Sequence, residues 1–243
     1  MTHGRRTTGR DDDWAIAIEY TDLRKTISAR DVETMCLEAT GYGLGAVVVP
    51  SALVREAAGL LADERCAVGT VISYPFGTQS PAVKAREAGA ALEHGAAELD
   101  VVPHFGPILG GRWDAVRDEL RELRRATGDA RLKLVLEVDR MSNDVVREAC
   151  AIAAGEGFRF VVNTMGFRIV STDPDAEGAA SPDAIRLLRK LANDELRLKA
   201  VGGIVGREQI DALIAAGADR IAIEVASGVL RGILASFEEG DVR

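Results

Sequence analysis

Apolar residues in this chain fall in short runs of three to eight, such as "AVVV" at 46–49, "LKLVLEV" at 132–138 and "FVV" at 160–162. The runs are rich in Val, Ile and Leu and are bounded by glycine or charged residues, which predicts parallel strands covered on both faces. Strands are expected near 15–21, 45–50, 66–73, 97–103, 131–138, 158–164, 197–203 and 220–226. Between them the spacing changes to a helical one, predicting helices at 29–41, 51–63, 80–94, 112–126, 142–155, 181–193, 206–216 and 228–237. One phrase recurs at the junctions: a helical stretch ends in glycine and an apolar run follows. It is seen in "ATGYGLGAVVV", "LEHGAAELDVV", "AAGEGFRFVVN" and "IAAGADRIAIE". Glycine there supplies the left-handed helix cap from which the next strand starts. Ser28, Ser80-Pro81, Ser142 and Ser181-Pro182 provide start signals for four of the helices.

Eight such units predict an α/β protein consisting of a single (β/α)8 barrel. An open doubly wound sheet is the alternative, but no GxGxxG follows the first strand. Residues 1–13 are polar and read as a flexible tail, leaving 14–243 for the barrel. The one long connection, "MGFRIVSTDPDAEGAA" at 165–180, follows the sixth strand and is expected on the active face as a lid.

The formal charge of −8 argues against a nucleic-acid partner. No apolar run approaches the roughly 18 residues of a membrane span. Cys36, Cys66 and Cys150 are isolated and lack CxxC spacing, so they are expected as reduced core thiols in a cytoplasmic protein. His3, His94 and His104 form no metal motif. Neither a metal nor a cofactor is expected, and a homodimer is the default assembly.

Lysines are confined to Lys25, Lys84, Lys133, Lys190 and Lys199. Lys199 interrupts the seventh apolar run, "RLKAVGGIVG", where an ammonium is costly unless paired or used. Barrel enzymes carry their chemistry at the C-terminal ends of strands, and alternation along each strand assigns the inward face. The candidates are Glu19 and Thr21 on the first strand, Asp100 on the fourth with His104 after it, and Lys133 and Glu137 on the fifth. Asn163 and Thr164 end the sixth strand, Lys199 lies in the seventh and Glu224 in the eighth. Lys133, nearer the bottom, is expected to pair with Glu137. Glu98 is read as a solvated residue on the helix side.

Several stretches resemble the deoxyribose-phosphate aldolase family. "AIEYTDL" is similar to the family's first strand, with Glu19 for its usual aspartate. "GTVISYPFG" resembles TVIGFPxG, "AAELDVVPHFGPILGG" resembles GAxEIDMVxNxGxLxxG, "RLKLVLEV" resembles LKVIIET, and "RLKAVGGI" resembles VKASGGI. The resemblance runs from about residue 16 to 236. It implies a barrel aldolase, with Asp100 at the family's catalytic aspartate and Lys199 at its second active-site lysine. In the family's sixth strand, FVKTSTGF, the lysine forms the imine. Here the stretch is "FVVNTMGF", and Val162 takes the lysine's place. Val201 replaces a serine two residues after Lys199. The family's eighth-strand ending, GTSSG, offers amides to a substrate phosphate. Here "IAIEVASGV" puts Glu224 in that region, unless a two-residue insertion aligns Ser227-Gly228.

The implied function is an aldolase-like lyase acting on a small carbonyl or aldol compound. Lys199 is then a relocated imine lysine or a catalytic cation, Asp100 transfers protons, and Glu137 and Glu19 are further catalytic candidates. His104, Asn163, Thr164, Gly166, Gly202, Gly203, Glu224 and Ser227 are the candidates for substrate contact. The alternative is a cofactor-independent acid/base enzyme (a dehydratase, isomerase or cyclase of a specialised pathway) that forms no imine. A further alternative is a non-catalytic binding protein on the same barrel.

Overall fold

The computed structural model describes residues 12–166, 180–204, 206–225, 228 and 230–232. Eight parallel strands close into a barrel in chain order: β1 (Ile18–Thr21), β2 (Ala46–Val48), β3 (Ala67–Ile72), β4 (Glu98–Val101), β5 (Arg131–Val135), β6 (Phe160–Val162), β7 (Arg197–Ala200) and β8 (Arg220–Glu224). β8 pairs with β1, with Glu19 opposite Ala222, so no edge strand is left. The expected single (β/α)8 barrel is therefore the observed fold.

Nine helices are described: α1 (Asp12–Ala17), α2 (Ala29–Gly41), α3 (Val54–Leu60), α4 (Pro81–Glu93), α5 (Phe105–Leu109), α6 (Trp113–Thr127), α7 (Asn143–Gly155), α8 (Pro182–Leu191) and α9 (Arg207–Ala215). Each longer helix turns one stripe inward. On α6 the buried residues Val116, Leu120, Leu123 and Thr127 recur at helical spacing and pack on the outside of the sheet. The expected tail falls almost entirely outside the described residues, as do the expected lid (except 165, 166 and 180), Ser227 and most of the helix at 228–237.

The first element departs from expectation. Residues 12–17 form α1, and the strand is shortened to 18–21. Alternation in "AIAIEY" reads as a strand along its whole length, but Gly45 lets the chain turn. Its N–H donates to the carbonyls of Ala15 and Ile18, 3.1 Å each. A Cβ at Gly45 would lie 2.0 Å from the Ile16 carbonyl oxygen. Only a glycine admits the turn at that point.

The start signals act largely as expected. Ser28 and Asp31 form a reciprocal capping box on α2, and the Ser142 and Ser181 hydroxyls accept from Val145 and Ala184 N–H. Ser80 makes no side-chain cap, and Pro81 alone opens α4. Ser28→Ala is expected to lower stability by about 1 kcal/mol. Urea unfolding would show this as a lower midpoint at unchanged m-value, and an unchanged midpoint would deny the cap its role.

All three cysteines are buried and free. Burial pushes their thiols up, Cys36 to about 11 and Cys66 and Cys150 to about 12. Among the described residues no helix is long and apolar enough to cross a membrane.

Candidate active site

The inward residues of the strands form two unlike levels. The lower one is ionic. Glu19 of β1, Glu98 and Asp100 of β4, Lys133 of β5 and Lys199 of β7 all point into the barrel and are at most 6% exposed. Lys133 Nζ lies 2.6 Å from Glu19, 2.7 Å from Glu98 and 3.2 Å from Asp100. Lys199 Nζ lies 2.5 Å from both Glu19 Oε2 and Asp100 Oδ2. Glu19 thus bridges the two lysines. Arg131 and Arg220 approach Glu98 from below and complete its neutralisation. Buried charges survive in this way, each beside an opposite one.

Burial alone would raise the Glu19 and Glu98 carboxyls. For Glu19 the adjoining Lys133 and Lys199 ammonium groups hold it well below the ordinary glutamate range. Glu98 is likewise lowered, chiefly by Lys133. For Lys133, burial disfavours the charge, but Asp100, Glu19 and Glu98 outweigh it and raise its pKa.

Two expectations are corrected here. Lys133 does not pair with Glu137; its partners are Glu19, Glu98 and Asp100. Glu98 is not a solvated helix-side residue but lies inside the barrel at 1% exposure. Parity carried the signal for Glu98: it lies two residues before Asp100 and must share its face. The partners of Lys133 are set by barrel closure, which places β1 across from β5.

Above the ions opens a cavity of about 600 Å³ at the C-terminal mouth. Asp100 and Lys199 line its floor, and Val162 stands beside Lys199 in register. Thr164, Gly166, Gly202, Gly203 and Glu224 also line it, on the β6, β7 and β8 side. Gly166, Gly202 and Gly203 have φ of 68°, 107° and 60°, values that let the backbone come close to the cavity. Lys25 is exposed at the mouth and is the other lysine of the lining.

Glu19 and Lys133 lie beneath the lining in the ion layer, and three further candidates stand back from it. Glu137, just after β5, accepts from the Met165 N–H at 2.9 Å and the Thr164 hydroxyl at 3.1 Å. Burial raises its pKa, with these bonds acting the other way. Its observed work is to hold the chain after β6 in place. Asn163 is a clamp: its amide accepts from Val201 N–H at 2.7 Å and donates to Val201 carbonyl at 3.1 Å. It extends the β6–β7 pairing beyond both strands. His104 is exposed where α5 begins.

A buried pair unforeseen in the sequence fixes the chain after Asp100. Lys84 of α4 donates to the Val102 carbonyl at 2.9 Å and to Glu119 of α6 at 2.6 Å. Glu119 accepts from His104 N–H as well. Lys84 falls on the inner stripe of α4, the one available signal.

No protein-family model matches the chain. Named relatives nonetheless align over about nine-tenths of the chain. The deoxyribose-phosphate aldolase of Methanothermobacter thermautotrophicus is 34% identical over 221 residues, covering 91% of this chain and 95% of the relative. That of Staphylococcus carnosus is 30% identical, covering 91% and 97%. The solved structure of the aldolase QR15 superposes with a TM-score of 0.82 at 28% identity, over 93% of this chain and 96% of that one. With relatives of this identity and coverage and a barrel that superposes on a solved aldolase, the chain belongs to the deoxyribose-phosphate aldolase family.

Proposed function

We propose that the protein acts on a small carbonyl or aldol compound at the floor of the mouth. The Lys199 ammonium donates to the carbonyl oxygen, and Asp100 transfers the proton. The observation that carries this reading is the position of Lys199 Nζ, 2.5 Å from two carboxylates and in the lining of the cavity. Lys199 is ion-paired on both sides, to Glu19 and Asp100, and an ammonium held in such a pair has no lone pair with which to attack a carbonyl. A cation so placed instead stabilises the negative charge that gathers on a carbonyl oxygen when an α-proton leaves or a C–C bond breaks. Asp100 is the acceptor within reach, and it returns the proton at the end of the cycle. Glu19 and Lys133 keep the pair oriented from beneath. Aldol cleavage and enolisation both fit such a site, and neither requires an imine.

Family membership supports carbonyl chemistry, and Val162 on β6 supports the loss of the imine step. Glu224 in the lining supports a substrate without a phosphate, since two like charges there repel. An imine on Lys199 is the second reading. It is favoured by the Asp100 carboxylate, which is hydrogen-bonded to the amine at 2.5 Å and able to take its proton.

Borohydride trapping separates the two. The protein is incubated with small aldehydes and ketones, phosphorylated and not, and turnover is followed with and without borohydride. Turnover of an unphosphorylated carbonyl compound with no reduced adduct on Lys199 is expected. A reduced adduct mapped to Lys199 by mass spectrometry would make the lysine a nucleophile and overturn the cation role.

A further inference from the structure

The upper level of the barrel interior has a composition of its own. Val48 of β2, Val71 of β3, Val102 just after β4, Val135 of β5, Val162 of β6 and Val201 just after β7 all line the cavity. Six consecutive strands thus contribute one valine each, directly above the ion layer. Branched residues are the usual filling of a barrel, but these do not merge with the main core. Val102, Val135 and Val162 form with Met165 a separate apolar cluster, with Tyr74 and Val201 packed against it. The cavity they line is about 600 Å³, within the range that encloses a drug-sized molecule; Val71 and Val201 are its half-buried valines, while Val48, Val102, Val135 and Val162 are at most 3% exposed and form the wall behind them. Phe76, 57% exposed, continues the apolar wall onto the rim.

We infer that the substrate carries an extended apolar body, alkyl or aryl, which the valine collar surrounds while its carbonyl meets Lys199. This rests on the proposed placement of the carbonyl at Lys199, and it names the substrate class. A polyhydroxylated chain would find partners at Thr21, Thr164 and Glu224, but each hydroxyl group placed against the valines would lack one, at a cost. An apolar chain of the same length gains by leaving water.

Calorimetric binding to the full chain tests the inference without turnover. The ligands are straight-chain carboxamides of four to eight carbons, which offer a carbonyl oxygen but undergo neither imine formation nor aldol cleavage. Affinity is expected to rise about fourfold per added methylene, from about 0.8 kcal/mol for each buried CH₂. The heat-capacity change should grow more negative along the series. Val201→Ser and Val71→Thr should each flatten this slope while leaving the thermal midpoint in place. Affinity that is flat with chain length, or tighter for a polyhydroxylated amide of equal carbon number, would overturn the collar's role. The matching alkanols isolate the other reading. They should give the same slope with weaker binding throughout. A parallel slope without that offset would count against the carbonyl at Lys199 and leave the collar standing.

Discussion

Lys199→Met should lower kcat/KM on the best carbonyl substrate by about 10²–10³-fold, the usual cost of removing one oxyanion donor. Lys199→Arg should retain measurable turnover. Arginine keeps a positive charge between Glu19 and Asp100 but cannot form an imine. The comparison is valid only between folded proteins, because methionine leaves two buried carboxylates with one lysine fewer. Circular dichroism melts on both variants supply that control. If the arginine variant is folded and as inactive as the methionine one, charge alone is not what Lys199 contributes. The imine reading would then replace the proposed one.

The second large effect is on stability. Lys133 is completely buried and touches Glu19, Glu98 and Asp100. Lys133→Met strands these carboxylates, and breaking a buried pair from one side costs about 3–5 kcal/mol. For a chain of this size that corresponds to a fall in Tm on the order of 10 °C. The pH dependence has a definite sign. Glu19 and Glu98 have lowered pKa values, so their contribution is present above the ordinary glutamate value near ~4.3 and is lost as the pH falls below it. The raised Lys133 contributes fully below its ordinary value near ~10.4 and loses that contribution only as pH rises through its higher folded value. Between roughly pH 5 and 10 the cluster therefore supports the fold in full. In the Lys133→Met protein, carboxylates without their cation gain from protonation, and the fall in Tm between about pH 5 and 3 should flatten or reverse. Thermal melts across pH 3–8 check this. A variant with wild-type Tm and the wild-type acid slope would show that Lys133 does not hold the cluster together.

Much of the fold could be read from local pattern. The glycine-ended helix followed by an apolar run marks four of the helix-to-strand junctions because both signals lie within about ten residues. The first unit departs from its local pattern. Its helix depends on Gly45, a residue of another segment, which admits the turn at Ala15 to Ile18. The site divides in the same manner. Lys199 and Asp100 stand out singly as charges in apolar runs, and the structure brings them within 2.5 Å of each other. Asn163 lies where expected, yet its amide is taken up by the backbone of Val201, a contact that no spacing within one strand reveals.

The sequence by itself determined which residues alternate inward on each strand, because that period belongs to the extended chain. On the fourth, fifth and seventh strands a charge is followed two residues later by a valine, at Asp100 and Val102, Lys133 and Val135, and Lys199 and Val201. Only the tertiary structure decided which inward residue meets which. Lys133 reaches Glu19 across 114 residues of chain, while Glu137, four residues away in sequence, binds the segment after β6 instead. The stagger of strands in a closed barrel sets those meetings. In this protein it gathered three carboxylates and two lysines into one buried layer beneath an apolar mouth.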